Sequence, residues 1–162
     1  MIHMHGGGFI ALSSRMMQTM TRRWANKLKI PIFSIDYRKP PTDPFPAAPN
    51  DCLAVYKFII NKIKRYMNIN PVNIYLAGDS AGGNLACSLM GNILKHNLAI
   101  PKGIYLAYPA LDLRVKFSPS KIHAVTDPLL WPSMLILCLN EYLGGKTEQA
   151  NNPIASPILL TE

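Results

Sequence analysis

The sequence predicts an α/β fold, one parallel sheet of about four strands flanked by helices. Short apolar runs alternate with longer amphipathic stretches, the rhythm of successive βαβ units. The long stretches repeat their apolar residues at helical spacing, and the short ones are rich in Ile, Val, Phe and Tyr. Gly and Pro fall mostly between these segments rather than inside them. At 162 residues and 49% apolar composition, the chain has the size and the core-forming capacity of one domain, taken as residues 1–162.

The elements follow in order. Ile2, His3 and Met4 read as the tail of a strand. Residues 16–28 read as a helix with Met16, Met20, Trp24 and Leu28 four apart on one face. Residues 31–36 read as a strand. Residues 37–49 hold five Pro and read as a loop. Residues 51–66 form a helix with Val55, Tyr56, Ile59, Ile60 and Ile63 inward and Lys57, Lys62, Lys64 and Arg65 mostly outward. Residues 72–77 are a strand, 81–96 a helix of small and apolar residues, and 103–107 a strand. Residues 131–142 are a helix stopped by Gly144 and Gly145.

Composition excludes several classes. There is no disorder, collagen or coiled-coil bias. The three Cys (Cys52, Cys87, Cys138) cannot form a closed disulfide set and fit no metal-binding spacing, which points to a reducing compartment and to no metal or cofactor. The start of the chain has no basic region and is broken at once by Gly6, Gly7 and Gly8, unlike a signal peptide. The apolar stretch 129–139 is interrupted by Pro132 and Ser133 and falls short of the ~20 residues of a membrane span. A cytoplasmic protein is therefore expected. The net charge of +8 permits an anionic partner. The basic segments 22–29 and 57–65 read first as solvated helix faces and second as peripheral contacts with an anionic membrane or lipid-droplet surface. Nucleic acid has no supporting motif. Met16, Met17 and Met20 read as core packing before an acyl site, and Cys87 as buried filler.

Gly78, Asp79, Ser80, Ala81 and Gly82 form a G-x-S-x-G between an expected strand and an expected helix. A nucleophilic Ser on so sharp a turn needs small flanking residues, and the helix N-terminus behind it favours developing negative charge. His5, Gly6, Gly7, Gly8 and Phe9 follow the first strand. Successive Gly there can fold the backbone so that its amides face a cleft, and with the Ala81 amide they can bind an oxyanion. A phosphate loop is the rival, but the segment lacks the Lys-Ser/Thr of a P-loop and the G-x-G-x-x-G spacing.

H-G-G-G-F and G-D-S-A-G-G-N-L, separated by S-I-D-Y-R at residues 34–38 and P-F-P at 44–46, resemble the hormone-sensitive lipase family of α/β-hydrolases. His3 and Met4, Tyr108-Pro109-Ala110, Ser118-Pro119-Ser120 and Asp127-Pro128-Leu129-Leu130 extend the likeness toward its lipase branch rather than its bacterial esterases. Pro40 and Thr42 depart from the family pattern, which bears on the packing of that loop and not on the nucleophile. The resemblance implies an α/β-hydrolase fold and cleavage of acylglycerols or sterol esters in lipid catabolism. Ser80 would be the catalytic nucleophile, with Gly6, Gly7, Gly8 and Ala81 around the oxyanion hole and His5, Gly78, Asp79 and Gly82 supporting the motifs.

A serine hydrolase also needs a base and an acid to orient it. His96 stands at the far end of the helix after Ser80. His123 could pair with Asp112. Asp127 precedes no His and is rejected as the acid. The resemblance places acid and base beyond Glu162 and two strands before Met1. The expectation is then a single incomplete catalytic domain, the central piece cut at both ends, with exposed sheet edges, poor folding or solubility alone and no ester hydrolysis by itself. Two other readings stay open: a non-catalytic ligand-binding protein of the same fold, and a short-chain carboxylesterase or deacetylase.

Overall fold

Residues 1–115 and 130–160 are described by a computed structural model. Strand β1 (Ile2–Met4) lies at the centre, wholly buried. Helix α1 (Gln18–Leu28) leads to strand β2 (Phe33–Ile35), and helices α2 (Ala47–Asn61) and α3 (Ile63–Met67) lead to strand β3 (Tyr75–Asp79). Helix α4 (Ala81–Lys95), strand β4 (Gly103–Ala107) and helix α5 (Pro132–Tyr142) follow, then 3-10 turns at Thr147–Asn151 and Pro157–Leu159. The four strands form one sheet in the order β2-β1-β3-β4, parallel throughout. His3 sits in register with Ser34 and Ala77, and Ala77 with Tyr105.

Alternation along the strands separates two faces. Ile2, Met4, Leu76 and Gly78 face α4, whose inner side carries Leu85, Leu89 and Ile93, all fully buried. Tyr56, Ile59 and Ile63 from α2 and α3 complete this core. On the opposite face Trp24 of α1 meets the rings of His3 and Tyr105 edge-on, with centroids 5.8 and 6.0 Å apart. No helix among the described residues is long and apolar enough to cross a membrane.

Several boundaries differ from the sequence reading. Helix α1 buries Thr21 and turns Trp24 inward, while Met16 and Leu28 remain 65% and 52% exposed. A step of four residues overshoots a 3.6-residue turn by about 40°, so a series spanning three such steps leaves the contact line at both ends. Helix α2 begins at Ala47, inside the Pro-rich segment read as loop. Pro49 is tolerated there because the first turn has no use for its missing N–H. The expected single helix over 51–66 is divided at Lys62, whose φ of −125° leaves the helical region. Strand β3 starts at Tyr75 rather than Val72, which is 84% exposed, and runs on to Asp79 because Gly78 and Asp79 pair with Leu106 and Ala107.

Leu89 makes its contacts entirely inside the core, so Leu89→Ala should lower the unfolding free energy by about 2–5 kcal/mol. Val72→Ala, at an exposed site, should change it by less than ~0.5 kcal/mol. Urea titrations of both variants check the assignment, and equal losses would contradict this placement of the core.

Candidate active site

The turn from β3 into α4 is tighter than most residues allow. Ser80 has φ 52° and ψ −117°, outside the regions that L-residues ordinarily occupy. Hydrogen bonds hold it there. Its N–H donates to the Ala107 carbonyl at 2.9 Å, and its own carbonyl accepts the N–H groups of Asn84 at 3.1 Å and Ala110 at 3.2 Å. The flanking glycines are needed for space. A Cβ on Gly78 would stand 2.2 Å from the Gly82 carbonyl oxygen, and one on Gly82 would stand 2.1 Å from that of Met4. Ser80 is half-buried and stands at the start of a fifteen-residue helix.

The glycine loop after β1 is fixed against this turn. Gly7 and Gly8 adopt φ of 103° and 62°, and the Gly7 carbonyl accepts the N–H groups of Ile10 and Ala11 at 3.2 and 2.9 Å. The Gly6 amide donates to Asp79 Oδ1 at 3.1 Å. Gly6, grouped with the oxyanion donors from the sequence, thus has its N–H engaged by Asp79, the residue before Ser80. Among the described residues no acceptor takes the N–H of Gly7, Gly8 or Ala81. Helix α5 backs the loop. Cys138 Sγ lies 2.6 Å from where a Gly8 Cβ would stand, and Phe9 stacks on Tyr142 with ring centroids 3.9 Å apart.

His5 supports the loop from within. It is fully buried, its Nδ1–H donates to the Gly6 carbonyl at 2.7 Å, and its ring stacks on Tyr37 at 4.3 Å. The Tyr37 hydroxyl donates to the His5 carbonyl at 2.8 Å. Burial pushes the His5 imidazole below its usual range, against the opposing pull of the Gly6 carbonyl and Asp36. His3 is pushed down for the same reason, against the pull of Asp79.

The sequence singled out Ser80, both glycine sets and His5, and the fold brings all of them to one end of the sheet. It did not single out Tyr37, Cys138 and Tyr142 as loop supports, nor the Asp79–Gly6 bond. Tyr37 stood only as part of a motif, and the α5 residues carry no local signal, because their role comes from tertiary contact alone. No described histidine serves Ser80. His96 caps the far end of α4, roughly 20 Å away at 1.5 Å per residue, and is exposed. Asp112 accepts bonds from Arg114 Nε and Nη2, both at 2.7 Å. His123 and Asp127 lie outside the described residues, as do Ser118, Pro119, Ser120, Pro128 and Leu129. Among the described residues no three His, Cys, Asp or Glu side chains converge as a metal set would.

Residues 1–161 match the alpha/beta hydrolase fold family. The chain is 41% identical to human (Homo sapiens) hormone-sensitive lipase over 151 residues, which is 93% of this chain and 14% of that protein. It is 38% identical to the mouse (Mus musculus) hormone-sensitive lipase over 91% of this chain and 19% of that one. Among solved structures, a hyperthermophilic esterase from Pyrobaculum calidifontis superposes with a TM-score of 0.92 at 30% identity, over 99% of this chain and 52% of its own. The chain therefore spans less than a fifth of these lipases and about half of that esterase.

The buried neutral imidazoles make stability depend on pH. His3 and His5 titrate lower in the folded chain than in the unfolded one, so the unfolded chain binds more protons as pH falls. Their contribution is full above about pH 6.5, the unfolded value, and is lost as pH drops below it toward the depressed folded values. Urea midpoints should therefore decline from about pH 7 to 5, and His5→Gln should flatten the decline. A separate expectation concerns backbone space. Gly82→Ala should cost more than about 3 kcal/mol, because the obstructing atom belongs to the Met4 backbone.

Proposed function

The chain belongs to the alpha/beta hydrolase fold family, and from that premise we propose that it carries the nucleophile and oxyanion site of a serine ester hydrolase of the hormone-sensitive lipase type. The carrying observation is the left-handed Ser80 at the head of α4, set beside a loop whose Gly7 and Gly8 amides are unengaged among the described residues. Ser80 Oγ attacks the ester carbonyl carbon. The carbonyl oxygen gains the negative charge and is held by the N–H groups of Gly7, Gly8 and Ala81, each donor contributing ~2.7–4 kcal/mol. The alcohol leaves, the acyl group remains on Ser80, and water releases it as the acid. The proton from Oγ passes to a histidine oriented by an acid and from it to the departing alcohol oxygen, both side chains lying beyond Glu162 in this reading. Asp79 and His5 position the loop and touch no reacting atom.

The substrate class, acylglycerols or sterol esters, is supported by similarity to the lipases over more than nine-tenths of this chain. Contact with an anionic lipid surface is supported by charge. Residues 1–35 contain five Arg and Lys and no Asp or Glu, and Arg15, Arg22, Arg23, Lys27 and Lys29 are exposed around α1. A cytoplasmic setting is supported by Cys52, Cys87 and Cys138 all being unpaired.

A fluorophosphonate probe should label Ser80 in the intact hydrolase, and Ser80→Ala should abolish both labelling and p-nitrophenyl butyrate hydrolysis. Residues 1–162 alone should give no steady turnover of that ester. If they turn it over and Ser80→Ala stops them, the base is within this chain and its proposed position is wrong. Comparing butyrate with oleoyl-glycerol hydrolysis separates a lipase from a short-chain esterase.

A further inference from the structure

His3 is a polar residue where the strand pattern calls for an apolar one. It stands between Ile2 and Met4 in the central strand and has no solvent exposure. A buried imidazole without hydrogen bonds is costly, so its neighbours carry information. Nδ1 lies 2.9 Å from Ser34 Oγ on β2. Nε2 has no hydrogen-bond partner among the described residues, yet it lies 3.9 Å from Asp79 Oδ1 on β3. That same oxygen accepts the Gly6 N–H at 3.1 Å. The edge-on indole of Trp24 closes the remaining side of the ring, with centroids 5.8 Å apart. Ser34, His3 and Asp79 thus form a line across three adjacent strands, ending at the residue before the nucleophile.

Electrostatics selects the tautomer. Because Asp79 Oδ1 already accepts the Gly6 N–H, a bare Nε2 lone pair facing it would be repelled, whereas an N–H is attracted. Nε2 then carries the proton, and the Ser34 hydroxyl donates to Nδ1. The ring is thereby fixed with its positive edge toward the carboxylate. Among the described residues, His3 and the Gly6 N–H stand within hydrogen-bond or ion-pair range of Asp79.

We propose that His3 is a positioning residue for the oxyanion loop: oriented by Ser34, it holds the Asp79 carboxylate, which in turn holds the Gly6 amide and so aims the Gly7 and Gly8 amides. The proposal rests on the reading of those two amides as oxyanion donors for its catalytic consequence, but not for its structural one. His3 touches no reacting atom. A side chain with an N–H at the same place should replace it, and an apolar one of similar size should not.

The test has two arms. In the chain labelled with 15N-histidine, the His3 signals, identified by their loss in His3→Gln, should show the Nε2–H tautomer and should shift in Asp79→Asn. Hydrogen exchange at the Gly6 amide should be faster by on the order of tenfold in His3→Leu and within about threefold of the parent in His3→Gln. In the intact hydrolase, His3→Leu should lower kcat on the order of tenfold with KM nearly unchanged, and His3→Gln should restore most of it. Should His3→Leu fail to fold by circular dichroism, Ser34→Ala, which removes only the Nδ1 partner, should show the faster Gly6 exchange instead. An Nδ1–H tautomer, or unchanged Gly6 exchange in a folded His3→Leu or Ser34→Ala chain, overturns the proposal. Absence of ester turnover in the parent enzyme would refute the hydrolase reading and leave the spectroscopic arm to decide this one.

Discussion

The site depends on one close approach, the first turn of α4 against the end of β1. Gly82 comes so near that any side chain atom there would collide with the carbonyls of Met4 and His5. This contact determines where β1 releases the chain into Gly6, Gly7 and Gly8, and therefore how far those amides stand from Ser80. It also accounts for the backbone at Ser80. To leave β3 and enter a helix pressed this closely on the neighbouring strand, the chain must turn within one residue, and Ser80 takes a left-handed conformation to do so. The strain is supported on both sides, by the Ala107 carbonyl that accepts its N–H and by the Asn84 and Ala110 amides that its own carbonyl accepts.

Charge is arranged with the same economy. The end of the sheet near Ser80 holds buried imidazoles that burial keeps neutral, one carboxylate on the adjoining residue Asp79, and the N-terminus of α4. The carboxylate of Asp79 is directed at Gly6 and His3 rather than at the space above Ser80. A negative group aimed at the reacting carbonyl would oppose the charge that develops there, whereas one turned into the loop rigidifies it. The unengaged amides and the helix dipole then present a field of one sign to the space above Ser80.

Much of this was legible in the sequence because it is local. G-D-S-A-G and H-G-G-G each need small residues at fixed offsets, and each sits at a strand end that the apolar runs already marked. Residues 103–107 read as a strand from their short apolar run and form one. What sequence could not supply was set by distant contact. The break at Lys62, the start of α2 in a Pro-rich stretch and the inward face of α1 all follow from what the helices pack against. The partners of the glycine loop were hidden for the same reason. Cys138 and Tyr142 lie about 130 residues from Gly8 and Phe9 along the chain, counting from the sequence, and nothing near them signals that relation.

The consequence for function is a separation of tasks. The turn at Ser80 and the glycine loop are assembled from strand ends and helices, with His5, Tyr37 and Asp79 engaged in holding the loop. Oxyanion stabilisation and substrate binding alone leave a residual rate of about 10³–10⁴ over water in serine hydrolases stripped of triad members, so a preformed hole has catalytic value of its own. It does not make the serine hydroxyl a strong nucleophile at neutral pH, which requires a base at hydrogen-bond distance. In the proposed hydrolase, the described residues would hold the electrostatic half of the chemistry in a rigid frame. That half is set by backbone geometry, which is why glycine positions dominate the signature while the proton-transfer half can come from elsewhere on the fold.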